Sequence, residues 1–286
     1  MASEYQHTNS DTPPIPHADV VDTRQMLTGV AAREAGAVIE ISKLVKKHRG
    51  RSVVEDVSFN VRPGGVTGFL GPNGAGKSST LRILLGLDRA DGGSALIDGV
   101  SYRKLPTPLT KVGAMLDGPG ASKGRTARSH LRWVAIAAGL PQSRVDEVLE
   151  LTGLHDAADT RIGAFSLGMG QRLGIATALL GRPAALVLDE PMNGLDPDGI
   201  RWMRGFLGGL AEQGTTVLVS SHLMGEVEAI ADDVIIIARG KVLAQGTLEE
   251  VRKGHESLED AFFALTDGLA QYRSEAHDNK GGETAR

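Results

Sequence analysis

The run Gly71-Pro72-Asn73-Gly74-Ala75-Gly76-Lys77-Ser78 fits the pattern G-x-x-x-x-G-K-[ST]. Chemistry explains the spacing. The glycines let successive backbone N–H groups turn inward, and the N-terminus of the helix that leads out adds partial positive charge, so the loop suits phosphate. Lys77 is placed to reach the β- and γ-phosphates of a nucleoside triphosphate, and the Ser78 hydroxyl to ligate Mg²⁺. Every residue from Gly71 to Ser79 is assigned to the nucleotide. A second chemical element is Asp189-Glu190, two carboxylates delivered by the apolar run Ala185-Leu186-Val187-Leu188. Asp189 is expected in the Mg²⁺ shell and Glu190 beside the attacking water.

Phe165-Ser166-Leu167-Gly168-Met169-Gly170-Gln171-Arg172, upstream of the acidic run, resembles the signature segment of ABC-type ATPases. Asn193-Gly194-Leu195-Asp196 is similar to that family's D-loop, and Ser220-Ser221-His222 to the strand end carrying its switch histidine. The resemblance covers residues 38–266 with its motifs in the family's order. It implies an ATP sandwich, in which Ser166 and Gly168 of one subunit close over ATP held by the phosphate loop of another. The dimer is head-to-tail, either a homodimer or a pair with a homologous ATPase. The residues permit this, because a serine opening a helix makes a second anion site. The resemblance also makes His222 a contact for the γ-phosphate and the water. ATP and Mg²⁺ are the implied cofactors, and a membrane-spanning transporter subunit the implied partner.

Three positions depart from the family pattern. Leu167 stands where the first glycine of the signature pair is common, and the expected consequence is slower closure at most. Asp117 occupies the usual glutamine position of the Q-loop, where it could join the Mg²⁺ shell as an anion and face the membrane partner. His48 replaces the usual aromatic that stacks on adenine, and a solvated turn residue is an equal reading of it.

The elements that must position these groups follow from periodicity. Ala37–Ile41 and Val57–Val61 alternate as strands, and Val66–Leu70 is a strand entering the phosphate loop. Leu81, Leu84 and Leu85 repeat at helical spacing after it, and Ala95–Ile97 closes at Asp98-Gly99. Strand–helix units recur at Ala185–Leu188, Thr215–Ser220 and Val234–Ala238, as in a mostly parallel α/β sheet. The middle, from Thr126 to Leu180, reads as helical, with Ser143-x-x-Asp146 as a capping box. The expected fold is α/β: an ABC-type P-loop NTPase core, with an antiparallel β subdomain and a helical subdomain over about 114–170. Residues 1–37 read as a polar, proline-bearing extension with a helical turn at Met26–Ala32 at best. The ATPase domain spans 38–267, and 268–286 form a polar tail.

Composition narrows the function. A formal net charge of −4 argues against a chain that coats nucleic acid, and no cysteine is available for disulfides or thiolate metal sites. No apolar run approaches the ~20 residues that span a bilayer. A cytoplasmic protein, held at the inner face of the membrane by its partner, is the expectation. The short C-terminal extension and acidic Q-loop resemble bacterial drug, antibiotic or lantibiotic exporter ATPases. A soluble ABC ATPase acting on the ribosome or DNA, and an importer ATPase, are the rival readings. The first is disfavoured because the chain carries neither a second module nor long coiled coils.

Overall fold

The computed structural model describes residues 37–116, 118 and 120–266. Strands β1 (Ile39–His48) and β2 (Arg51–Val61) form an antiparallel hairpin. Its two-residue turn, Arg49-Gly50, has positive φ at both positions (49° and 80°), the backbone twist a tight hairpin needs. Strand β4 (Gly92–Ile97) pairs antiparallel with the other edge of β1, giving the order β2-β1-β4. This is the antiparallel subdomain expected from the alternating segments.

Between β2 and β4 the chain makes β3 (Val66–Leu70) and helix α1 (Lys77–Leu84). A short helix α2 (Pro108–Lys111) leads into β5 (Val112–Met115). Three helices follow: α3 (Ala127–Ala137), α4 (Ser143–Leu151) and α5 (Leu167–Leu179). The chain continues through β6 (Ala185–Asp189), α6 (Pro197–Glu212), β7 (Thr216–Ser221) and α7 (Met224–Glu228). It then forms β8 (Asp233–Ala238), β9 (Lys241–Thr247), α8 (Leu248–Arg252) and a helical run over 258–266. The second sheet has the order β5-β6-β7-β3-β8-β9, parallel except for β9. Strands β3, β6 and β7 are buried along their whole length, as parallel strands covered on both faces must be. One apolar cluster joins helices α3–α5 to this sheet, from Leu131 and Leu149 to Leu188 and Val219.

Three boundaries differ in detail from the sequence reading. Ala37 is buried, its N–H donating to Ala184 O (3.4 Å) and its carbonyl accepting from Thr216 Oγ1 (2.9 Å), so it belongs to the packed body. Ala114 and Met115 lie in β5, paired with Val187 and Leu188, so the helical part begins after the sheet edge. Ser143 caps nothing: Gln142 before it is already helical, and Asp146 instead pairs with Arg128 of α3. The helical turn expected at Met26–Ala32 and the polar tail 268–286 lie outside the described residues.

Candidate active site

Strand β3 leads into Gly71, whose N–H donates to Ser221 O of β7 (3.2 Å). A Cβ on Gly71 would fall 2.1 Å from Ile237 O, and one on Gly76 would fall 2.6 Å from Val53 O. The loop therefore runs with its backbone pressed against two strands, and only glycine fits at either end. Gly76 has φ 108°, a left-handed turn that starts α1 at Lys77. The first N–H groups of that helix have no intrahelical acceptor, which leaves them for an anion. Pro72, Asn73 and Gly74 form the exposed crest, Ala75 is buried, and Ser78 and Ser79 remain accessible. Lys77 is buried, with Nζ donating to Gly71 O (2.6 Å) and Pro72 O (3.3 Å).

The carboxylates arrive from β6. Asp189 is buried at the strand end, opposite Ser220 of β7, and accepts a hydrogen bond from the Ser220 hydroxyl. Glu190 follows with φ 50°, and its N–H donates to both Ser220 O (3.1 Å) and Ser220 Oγ (3.2 Å). From this left-handed turn, Oε1 lies 3.2 Å from Lys77 Nζ, while Oε2 lies 2.8 Å from His222 Nδ1. Oε2 also accepts the His222 N–H (3.3 Å). Lys77, Glu190 and His222 therefore form one connected line along the C-terminal edge of the parallel strands, the edge where open α/β sheets bind ligands. Asp189 and Ser78 supply one carboxylate and one hydroxyl. That donor set fits Mg²⁺, which takes few protein oxygens and fills its shell with water and phosphate oxygens.

A family model described as ABC transporter matches residues 54–193. The bacitracin transport ATP-binding protein BcrA of Bacillus licheniformis is 41% identical over 219 residues, covering 76% of this chain and 72% of that protein. The lantibiotic transport ATP-binding protein SrtF of Streptococcus pyogenes is 36% identical over 225 residues, covering 79% and 96%. A solved ATP-binding subunit of an ABC transporter superposes with TM-score 0.71 and 30% identity, over 80% of this chain and 99% of that one. The chain belongs to the ABC transporter ATP-binding family. It is an ATP-binding, ATP-hydrolysing ABC transporter subunit, with the α/β fold the motifs announced.

The remaining candidates of this ABC ATPase stand apart from the connected line. Ser166 is the N-cap of α5, its Oγ accepting from Met169 N (3.2 Å), and no hydrogen bond among the described residues joins it to the phosphate loop. Gly168 lies against Leu195 instead. His48 is exposed at the end of β1, paired across the hairpin with Arg51. The hairpin borders the site through Val53, whose carbonyl crowds Gly76. Asp117 lies outside the described residues. Sequence reading gave Ser220 no role, yet it holds both carboxylate residues in place; its only signal was its position two residues before His222. Among the described residues no helix is long and apolar enough to cross a membrane.

Proposed function

We propose that this ABC ATPase binds ATP with Mg²⁺ and hydrolyses it in a head-to-tail pair with a second ABC ATPase chain. Hydrolysis drives export of a drug, antibiotic or peptide through a separate membrane-spanning subunit, on whose cytoplasmic face the chain sits. The observation that carries the chemistry is the line Lys77–Glu190–His222 at the mouth of the phosphate loop. The backbone from Gly71 to Ser79 holds the phosphates, and Lys77 neutralises them. Glu190 orients the attacking water and accepts its proton, while His222 fixes the Glu190 carboxylate and reaches the γ-phosphate. Ser78 and Asp189 would hold Mg²⁺, which would supply charge neutralisation at the phosphates. Asp117 is assigned to that shell on its sequence position alone, and His48 is the candidate to stack on adenine, with a solvated turn residue the equal alternative. Ser166 and Gly168 close on the partner's ATP, a role supported by the exposure of Ser166 at the N-terminus of α5.

The relatives named for bacitracin and lantibiotic transport support the export reading. Copurification with a polytopic membrane protein tests it, and copurification with ribosomes or DNA instead would overturn it. The catalytic assignment is tested by Glu190→Gln, which keeps the shape and removes the base. ATP binding should persist while turnover falls by ~10²–10⁴. Turnover at the wild-type rate removes Glu190 from the mechanism.

A further inference from the structure

Leu167, the residue that breaks the signature's glycine pair, is 55% exposed, yet its side chain is not idle. Its Cδ2 would lie 2.7 Å from a Cβ placed on Gly194, so the leucine rests against the exposed backbone of the D-loop. The D-loop answers in kind. Leu195 Cδ2 would lie 3.7 Å from a Cβ on Gly168, the next residue of the signature. Each segment thus sets a leucine over the other's glycine. The junction is tied down on both sides by residues facing the core. Phe165, Met169 and Leu195 pack against the apolar cluster beneath. Arg172 of α5 lies 4.1 Å over the Trp202 ring of α6, the helix that the D-loop's Asp196 caps, and its Nη1 donates to Thr152 O (3.2 Å).

We propose that Leu167 is a positioning residue that locks the signature turn to the D-loop of the same subunit, so that both meet the opposing subunit's nucleotide as one rigid edge. The inference rests on the head-to-tail reading above. Two loops that moved independently would each lose conformational entropy on closure. A pre-joined edge has already lost most of it. The leucine therefore replaces the missing glycine's flexibility with a contact, and the expected phenotype of its loss is weaker closure rather than weaker ATP binding by one chain. The same geometry distinguishes Leu167 from a residue that merely touches the partner. A partner contact acts alone, whereas an interlock acts together with Leu195.

The test uses the full chain carrying Glu190→Gln, with saturating ATP and Mg²⁺, and reads the dimer dissociation constant by sedimentation. Leu167→Ala should weaken association by about tenfold. Leu195→Ala should do the same, and the double variant should be weakened far less than by the product of the two effects. Leu167→Met, which restores reach and apolarity, should recover most of the loss. ATP affinity of Leu167→Ala, measured below the concentration at which chains pair, should stay at its starting value. An unchanged dimer constant in Leu167→Ala overturns the proposal, and so do independent, multiplying effects of the two leucines. So does a loss of melting temperature with no change in association. If the Glu190→Gln chain itself forms no ATP-dependent dimer, the head-to-tail reading fails first and this inference falls with it.

Discussion

Arg144 offers a quantitative test of how the signature helix is held. It sits on α4 with its side chain only 8% exposed, and Nε and Nη2 donate to Leu180 O (3.0 Å) and Leu179 O (2.9 Å). Those carbonyls are at the C-terminal end of α5, where the helix's own i+4 N–H groups run out, although Leu179 O also accepts the Arg182 N–H (3.0 Å). The third nitrogen, Nη1, is paired with Glu147. Arg144→Ala removes two hydrogen bonds from a charged donor, each contributing roughly 1.5–3 kcal/mol, so about 3–6 kcal/mol in all. Glu147 adds little to that cost, because Arg182 Nη2 still donates to both its oxygens at 2.9 Å. A domain of this size loses ~2–4 °C of melting temperature per kcal/mol, which gives a fall of roughly 6–24 °C. Arg182→Ala is the control. That side chain is about half exposed, and an exposed pair is worth ~0–1 kcal/mol. Arg144→Lys should recover only part of the loss, since one ammonium cannot serve two carbonyls in a fixed fork. Scanning calorimetry of the full chain without nucleotide reads all three. An Arg144→Ala melting temperature within ~2 °C of wild type would refute the bookkeeping, and equal losses for Arg144→Ala and Arg182→Ala would refute the burial argument.

Burial, aided by the charge of Arg125, pushes the His130 imidazole below its ordinary pKa, so folding favours the neutral ring. Its stabilising contribution is complete above the unfolded value of ~6.5 and is lost as pH falls toward the lower folded value. Wild type should therefore lose stability as pH falls below about 6.5, and His130→Gln should flatten that slope in denaturant titrations; parallel slopes would exclude His130. Gly113→Ala should destabilise strongly, because its Cβ would fall 2.1 Å from Ala178 O, a backbone atom with no freedom to give. Gly208→Ala, inside α6 with open space at the same position, should raise stability by about 0.4–1 kcal/mol in the same melts. If His48 stacks on adenine, His48→Ala should weaken ATP binding and His48→Tyr should restore or improve it, within the ~1–3 kcal/mol of a base–aromatic contact. Equal ATP dissociation constants for all three side chains would leave His48 a solvated turn residue.

The phosphate loop, the acidic strand end and the histidine were legible because each is a local pattern with a local reason. A glycine needed for close approach, a strand ending in carboxylates and a histidine after serines all appear in a few consecutive residues. What stayed hidden depended on residues far apart in the chain. Arg144 reads as a surface charge in Ser143-Arg144-Val145-Asp146-Glu147 until α5 delivers the carbonyls it caps. Ser220 reads as a strand-end hydroxyl until β6 sets Asp189 beside it. Local patterns also misled. Ser143-x-x-Asp146 fits a capping box, yet the chain is already helical at Gln142 and the box does not form. The same kind of pattern at Thr247–Glu250 went unread, and there the structure forms both reciprocal hydrogen bonds. Strand β9 was missed because its residues are half-buried with no clean alternation, as an antiparallel edge strand permits.

The order of strands in the second sheet has a consequence for how the protein is made. The phosphate-loop strand β3 has only two neighbours, β7 and β8, and Val66 pairs with Val217 while Thr67 pairs with Asp233. During synthesis the antiparallel sheet can close as soon as β4 is out, since all its strands lie between Ile39 and Ile97. Strand β3, wholly apolar or small along Val66–Leu70, must wait for partners about 150 residues behind it, roughly 8–30 s at ~5–20 residues per second. The ribosome therefore releases the phosphate loop long before the strands that hold its Gly71 end are made. The carbonyls that crowd Gly71 and bind its N–H come from Ile237 and Ser221. A nascent or truncated chain ending before β7 carries every residue of the loop and yet lacks the strands that hold its Gly71 end. The full geometry of the phosphate loop is thus completed only when β7 and β8 join β3, near the end of translation.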